Sequence, residues 1–200
     1  MKLDINPEHP EPRKIARAVE VMRRGGVIAY PTDTVYGLGC DIMEKKAIES
    51  IHRMKSMRKG QLLTFVCHDM ADVARYGVVD DRAFRIIRKL VPGPYTFVLR
   101  ATREVPKVLR LDRETVGIRV PAHPVALALA RELGTPVAST SASCEGEILL
   151  DPDDVERRFP ALELILDVGA GGTTPSTIID LSGPEPVVLR EGAGPVELGE

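Results

Sequence analysis

The stretch GGVIAYPTDTVYGLGCD, residues 25–41, decides the fold predicted for this chain of 200 residues. Its two leading glycines are typical of a helix end, and the apolar run at 27–30 predicts a buried strand. Pro31 ends that strand, because proline has no N–H to donate to a neighbouring strand. Four polar side chains follow: Thr32, Asp33, Thr34 and Tyr36. We expect Gly37 and Gly39 then to let the backbone turn towards a ligand.

This arrangement predicts a polar binding site at the end of a strand. In open α/β sheets, ligands bind in the crevice beyond the carboxyl ends of the strands. Hydroxyl groups and backbone N–H groups would hold a small polar ligand there. The alternative is a tight connection at 31–37 whose side chains cap their own backbone.

Helix and strand signals alternate along the remainder of the chain. A first helix is predicted where Ile15, Val19 and Met22 share one face, and Gly25 and Gly26 end it. The other predicted helices are 44–54, 69–76, 80–91, 124–133 and 152–159. The predicted strands are 27–30, 62–67, 95–101, 115–120, 137–139, 162–166, 177–181 and 187–190. Because the last two strands are separated by a hairpin turn and no helix, the sheet cannot be purely parallel. We predict one α/β domain over residues 1–200, with a core at about 13–190: a twisted, open, mixed sheet flanked by helices.

Composition excludes several classes of protein. The net charge of −2 excludes a polycation, so any nucleic-acid contact requires a local basic patch. The chain has no Trp, which argues against a surface built from stacked rings. Its three cysteines are far apart and odd in number, which predicts free thiols and no metal site. With no apolar run of membrane-spanning length, we expect a cytoplasmic protein that makes no contact with membranes.

The densest positive run is HRMKSMRK, residues 52–59. It begins on the predicted second helix and continues into the loop that follows. Lys55 and Arg58 are spaced to face one ligand, and guanidinium and ammonium groups both suit phosphate oxygens. Cations at a helix C-terminus also complement the helix dipole, which is the structural alternative.

Hydroxyl groups form a second cluster, at 139–143 after a short predicted strand. Such a run binds anions through hydroxyl and backbone N–H groups, or else forms a self-capping turn. The glycine-rich stretch at 169–176 lacks the ending of a P-loop and no helix follows it, which excludes a Walker-type site. Arg119 and Arg190 each end a predicted strand. Since no nucleophile–base set is evident, these groups favour electrostatic stabilisation of phosphoryl or adenylyl transfer over covalent hydrolysis.

Five ordered motifs resemble those of the YrdC-like family: PTDTVYGLG, PGPYTFVL, TVGIRVPAHP, STSAS and STIIDL. The resemblance runs from about residue 13 to 190, and PGPYTFVLRATREVPK with REGAG is most similar to the YciO-type subgroup. The family fold is a twisted α/β sheet with a large open cavity. Its members include threonylcarbamoyl-AMP synthase, which joins threonine, bicarbonate and ATP, with magnesium, for tRNA modification.

The resemblance also implies roles for individual residues. It implies substrate-binding roles for Thr32, Thr34, Tyr36, Thr115 and Ser176. It implies nucleotide-binding roles for Lys55, Arg58, Gln61, Arg119, Ser141, Ser143 and Arg190. Among these, the implied catalytic groups are Lys55, Arg58, Ser141 and Ser143. No protein ligand to a metal is implied.

Three positions depart from the family pattern. Met57 stands where the family's K-x-R element has arginine, Ser143 stands for the asparagine of S-x-N, and Val66 replaces a histidine that many synthases have. We therefore expect weak synthase activity that increases in Ser143→Asn, because asparagine both donates and accepts hydrogen bonds. Two alternatives stay open: a nucleotide- or double-stranded-RNA-binding paralogue with little catalysis, and a carbamoyl chemistry like that of hydrogenase-maturation carbamoyltransferases. The oligomeric state is not predicted.

Overall fold

The computed structural model describes residues 1–57, 61, 63–110 and 114–196. In this part of the chain the helices are α1 (Pro12–Arg23), α2 (Lys45–Met54), α3 (Met70–Tyr76), α4 (Asp81–Leu90), α5 (Lys107–Arg110), α6 (Pro124–Leu133) and α7 (Pro152–Arg158). The strands are β1 (Lys2–Asp4), β2 (Ile28–Tyr30), β3 (Gly37–Asp41), β4 (Thr64–Val66), β5 (Tyr95–Arg100), β6 (Thr115–Arg119), β7 (Val137–Ser141), β8 (Ser143–Cys144), β9 (Glu147–Ile148), β10 (Leu164–Asp167), β11 (Thr177–Asp180) and β12 (Val187–Arg190).

One large mixed sheet organises the domain, which confirms the predicted fold class. Among the described residues its strand order is β1-β10-β2-β3-β7-β4-β6-β5-β11-β12, and β8 and β9 pair separately. The pairs β1/β10, β10/β2, β4/β6 and β5/β11 are parallel, whereas β2/β3, β3/β7, β7/β4, β6/β5 and β11/β12 are antiparallel. The hairpin predicted between β11 and β12 is confirmed.

The turn predicted at Gly37 and Gly39 is wrong. Both glycines lie inside β3, which pairs with β2 on one side and β7 on the other. A Cβ atom on Gly39 would lie 2.7 Å from Cε1 of Tyr30, and one on Gly37 would lie 3.0 Å from it. The missing side chains therefore make room for the Tyr30 ring, whose hydroxyl lies 2.7 Å from Ser139 Oγ. The hydroxyl run likewise begins inside a strand, because β7 continues to Ser141.

Apolar side chains form two clusters, on opposite faces of the sheet. The first joins alternate residues of the strands, such as Phe97, Leu99 and Ile118, to helices α2, α3, α4 and α7. The second packs α1 and α6 against the other face, around Tyr30 and Leu164. Each large apolar side chain buried in this way contributes about 1.5–3 kcal/mol to folding. Helices α1 and α6 cover only part of the second face among the described residues, and polar side chains line the adjoining part.

Side-chain caps fix the starts of several helices. Asp69, Asp80 and Asp151 each accept a hydrogen bond from a backbone N–H in the first turn of α3, α4 and α7. His123 caps α6 by accepting from the N–H of Val125 at 3.2 Å. All three cysteines are free thiols. Within the described ranges, no helix combines the length and apolar character needed to cross a bilayer.

Candidate active site

A pocket of about 220 Å³ opens on the part of the sheet that α1 and α6 leave uncovered. Its floor consists of residues that share one face of neighbouring strands, because Thr64 pairs with both Ser139 and Gly117, and Gly37 pairs with Ser141. The residues lining it are Tyr30, Thr32, Val35, Tyr36, Gly37, Thr64, Val66, Thr96, Arg119, Ser139, Thr140, Ser141, Ser176, Ile178 and Arg190. The pocket thus lies on the face of the sheet, whereas the sequence predicted a site beyond the strand ends.

Arg119 is the most buried cation of this pocket. Its guanidinium donates to Thr34 Oγ1 at 2.9 Å and to Asp33 Oδ1 at 2.5 Å. Arg119 Nε and Asp33 Oδ2 are both buried and have no hydrogen-bond partner in the described structure. Asp33 was one of the four polar side chains of the predicted binding site, but the family resemblance assigned it no role. Asp33 neutralises Arg119 and fixes its orientation towards the pocket.

Arg190 is the second cation of the pocket and has no ion pair among the described residues. It donates from Nη2 and Nε to the carbonyl oxygen of Ser176, at 2.8 and 3.1 Å. Ser176 Oγ in turn lies 2.9 Å from Thr96 Oγ1. Burial, together with the charge of Arg119, lowers the pKa of Arg190. Two guanidinium groups therefore face one pocket with a single carboxylate to balance them, which favours an anionic ligand.

A second pocket, of about 450 Å³, adjoins the first and shares Thr140, Ser141 and Arg190 with it. The ammonium of Lys55 lines this second pocket and donates to the Ser141 carbonyl at 3.0 Å, to Ser143 Oγ at 2.9 Å and to the Ser143 carbonyl. Burial lowers the pKa of Lys55. The predicted basic and hydroxyl clusters thus meet at these contacts, and Gln61 and Met57 line the same pocket.

Thr32 is largely satisfied by the backbone of its own stretch, which supports the capping alternative for this residue, whereas the Thr34 hydroxyl bonds to the side chains of Arg119 and Thr32. Thr32 Oγ1 donates to the carbonyl of Val35 at 2.7 Å and accepts from the N–H of Thr34 at 3.1 Å. Tyr36 acts over a longer range, because its hydroxyl accepts from the N–H of Val168 at 3.1 Å and donates to the carbonyl of Gly169 at 2.9 Å. Thr32 and Tyr36 still line the first pocket.

The glycine-rich stretch at 169–176 closes over this polar stretch. A Cβ atom on Gly171 would lie 2.7 Å from the Tyr36 ring, and one on Gly172 would lie 1.9 Å from the carbonyl oxygen of Thr34. These two glycines permit a backbone contact that no other residue allows. The contact fixes the course of the chain leading to Ser176, and hence the hydrogen bonds of Arg190.

Not every predicted site residue reaches the pockets. Thr115 lies at the opposite end of β6 from Arg119, about 13 Å away at the rise of a strand, and does not line either pocket. Arg58, and with it Lys59, lies outside the described residues. Val66, at the position of the family histidine, forms part of the wall of the first pocket.

The comparisons with known proteins agree with this architecture. The Sua5/YciO/YrdC family model, described as "Telomere recombination", matches residues 20–192. The chain belongs to the Sua5/YciO/YrdC family.

Relatives in the Sua5/YciO/YrdC family include proteins with and without a named activity. The uncharacterized protein YciO of Escherichia coli K12 is 43% identical over 197 residues, which cover 96% of both chains. Its crystal structure matches with a TM-score of 0.94 over 98% of both chains. Threonylcarbamoyl-AMP synthase of Thiobacillus denitrificans is 38% identical over 80% of this chain and 87% of its own. The crystal structure of P. abyssi Sua5 complexed with L-threonine is 30% identical, with a TM-score of 0.88 over 96% of this chain and 57% of that one.

One group of side chains in the described structure has the composition of a metal site. The ligand atoms of His68, Asp69 and Asp72 lie within 4.8 Å of one another. They already bond to one another and to the start of α3, since Asp69 Oδ1 accepts from the N–H of Asp72 at 2.9 Å and His68 Nδ1 lies 2.7 Å from Asp72 Oδ2. This group therefore has a structural role at the start of α3.

Proposed function

We propose that this protein forms threonylcarbamoyl-AMP from threonine, bicarbonate and ATP, at a lower rate than the synthases of its family. The observation that carries the proposal is the set of three cations around two adjoining pockets. Arg119 has a carboxylate partner, whereas Lys55 and Arg190 have none among the described residues. An anion with several oxygens, such as a triphosphate, would satisfy both.

The proposed reaction is an adenylyl transfer. The carbamate forms from the amine of threonine and bicarbonate with loss of water. It attacks the α-phosphorus of ATP, the bond from that phosphorus to the oxygen bridging the β-phosphate breaks, and pyrophosphate leaves. Charge on the phosphate oxygens must be balanced during this exchange, and positioned cations in a pocket do so with little reorganisation. In this proposal Arg190 and Lys55 bind the phosphates, while Arg119, held by Asp33, orients the smaller substrate beside Thr32 and Tyr36.

The lining residues do not suit a magnesium ion held by the protein. Mg²⁺ sites in proteins use one or two carboxylates together with substrate phosphates. The described lining of the first pocket contains no carboxylate, and that of the second contains Glu145, which pairs with Arg158 at 3.6 Å. We therefore assign no step to a protein-bound metal.

Release of pyrophosphate from ATP tests the proposal. We expect release that requires both threonine and bicarbonate, falls at least tenfold in Lys55→Ala and in Arg190→Ala, and is unchanged in Lys46→Ala. Lys46 is an exposed cation of α2 outside the two pockets, and serves as the matched control. Release that is independent of threonine, or unaffected by both site variants, would contradict the proposal.

A second candidate function, nucleotide binding with little catalysis, is favoured by the contacts of Lys55. An ammonium group has three hydrogens, and the protein supplies three acceptors: the carbonyls of Ser141 and Ser143 and the hydroxyl of Ser143. Lys55 must give up one of these bonds to contact a phosphate. Calorimetric binding of ATP without release of pyrophosphate would support this second function. The first function further implies, as a proposal, a cytoplasmic protein that serves tRNA modification.

A further inference from the structure

The second pocket contains a further cation, Arg158, which has no role in the proposed reaction. Arg158 ends α7 and lines this pocket together with Lys55 and Arg190. Its partners are the thiol of Cys144 and, at 3.6 Å, the carboxylate of Glu145, whose side chain is 88% exposed. The described lining of the second pocket therefore holds three cations and one carboxylate, and that carboxylate lies largely in water.

A tight hairpin places the Cys144 thiol against this arginine. Cys144 of β8 pairs with Glu147 of β9. The two residues between them, Glu145 and Gly146, have positive φ angles of 51° and 89°. Positive φ at both central residues is typical of a type I′ turn, which matches the twist of the strands it joins. The sulfur atom accepts from Nε of Arg158 at 2.7 Å and from Nη2 of the same guanidinium.

The other edge of the Arg158 guanidinium is available to a ligand. A guanidinium has five N–H groups, and the bonds to Cys144 use the edge formed by Nε and Nη2. Among the described residues, Nη1 has no hydrogen-bond partner. The edge formed by Nη1 and Nη2 fits two phosphate oxygens in parallel hydrogen bonds. Cys144 thus orients Arg158 and leaves an anion-binding edge of it open.

We infer that Arg158 binds the pyrophosphate group that leaves ATP. This inference rests on the proposed function, in which the smaller substrate lies in the first pocket. In phosphoryl-type transfers the attacking and leaving oxygens are roughly in line, so pyrophosphate leaves on the side of the α-phosphorus away from the first pocket. Arg190 lines both pockets, whereas Arg158 lines the second pocket and not the first. Of these two arginines, Arg158 is therefore the one on the leaving-group side.

The alternative is a structural role at the end of α7, and Arg157 provides the control for it. Cations at the end of a helix complement its dipole, and Arg157 and Arg158 both lie in the last turn of α7. Arg157 pairs with Asp154 and lines neither of the two adjoining pockets. A helix-end role predicts similar effects of substituting either arginine, whereas a ligand contact predicts an effect of Arg158→Ala alone.

Calorimetric titrations with pyrophosphate, ATP and AMP test this inference without any catalysis. We expect Arg158→Ala to lose about tenfold or more in affinity for pyrophosphate and for ATP, and to bind AMP within about twofold of the wild type. Arg157→Ala should match the wild type with all three ligands. Cys144→Ala should lose part of the affinity for pyrophosphate, and Cys144→Ser, which keeps an acceptor for Arg158, should restore it. In Arg158→Ala, the further change Cys144→Ala should have no effect.

Several outcomes would overturn the inference. Equal losses in Arg157→Ala and Arg158→Ala would assign Arg158 to the end of α7, and unchanged affinity for pyrophosphate in Arg158→Ala would exclude the contact. An equal loss for AMP and ATP would place Arg158 against the nucleoside or its α-phosphate. A wild type that does not bind pyrophosphate would overturn the inference whatever its synthase activity. Binding of ATP and pyrophosphate through Arg158, without threonine-dependent release of pyrophosphate, would instead contradict the proposed function and leave the contact with the terminal phosphates standing.

Discussion

Removal of the Arg190 side chain tests whether Arg190 belongs to a prearranged anion site or serves as a structural contact. In the free protein, Arg190 has no ion pair within the described structure, and the charge of Arg119 contributes to its lowered pKa. Arg190→Ala loses hydrogen bonds to the Ser176 carbonyl, each worth about 0.5–1.5 kcal/mol, and also relieves the repulsion by Arg119. Because these effects oppose each other, we expect the free energy of unfolding to change by less than about 1 kcal/mol.

Ligand binding should respond much more strongly than stability. A hydrogen bond between Arg190 and a phosphate is charge-assisted and worth about 1.5–3 kcal/mol. Its loss corresponds to a decrease in ATP affinity of about 10- to 150-fold. Arg119→Ala should behave differently, since it leaves the Asp33 carboxylate buried without a partner, at a cost of about 3–5 kcal/mol in stability.

The two arginine variants are compared by denaturant unfolding and by calorimetric titration with ATP. We predict that Arg190→Ala loses affinity for ATP and keeps its stability, whereas Arg119→Ala loses both. This prediction is refuted if Arg190→Ala is less stable by over about 2 kcal/mol while binding ATP as the wild type does. In that case the hydrogen bonds to Ser176 serve to hold β12 in place.

Three further predictions follow from single contacts. Ser143→Asn should raise the steady-state rate of threonylcarbamoyl-AMP formation about 10- to 100-fold, because the amide can accept from Lys55 through Oδ1 and donate to a phosphate. An unchanged rate would show that Ser143 already suffices. Burial lowers the pKa of Lys55, so the affinity for ATP should fall as the pH rises through this lowered pKa. Lys55→Arg keeps its charge and should flatten that fall in calorimetric titrations. Parallel pH profiles of the variant and the wild type would refute the role of Lys55. Gly172→Ala would place a Cβ 1.9 Å from the carbonyl oxygen of Thr34 and should lower the free energy of unfolding by about 1–3 kcal/mol, measured by thermal unfolding. A Cβ on Gly183 has nothing within 4 Å, so the control Gly183→Ala should leave stability unchanged. Equal melting temperatures would show that the 169–176 stretch adjusts freely.

Local signals predicted most of the elements, and their failures have physical causes. Strand β2 and helices α3, α4 and α6 carry apolar periodicity and capping residues, so short windows of sequence suffice for them. Strand β3 was missed because Gly37 and Gly39 resemble a turn until the Tyr30 ring that covers them is known. The need for glycine at these two positions depends on a side chain from another strand, and a local sequence pattern does not contain that information.

The site was predicted more completely in its residues than in its geometry. The rule that ligands bind beyond strand ends presumes parallel strands, and here β7 runs antiparallel to both neighbours. Polar residues from strands of opposite direction therefore meet on a face. The meeting of Lys55 with Ser141 and Ser143 spans more than eighty residues, and the family resemblance supplied it where spacing alone could not.

The pairing of β1 with β10 shows that the folded unit begins earlier than the region that the family model matches. That match starts at residue 20, yet Lys2–Asp4 forms one edge of the sheet, and α1 places Ile15 and Val19 in the second core cluster. A chain trimmed to the family match would leave one edge of β10 unpaired along the apolar residues Leu164–Leu166. Exposed strand edges pair with other chains, so the strand Lys2–Asp4 protects the protein against self-association through β10.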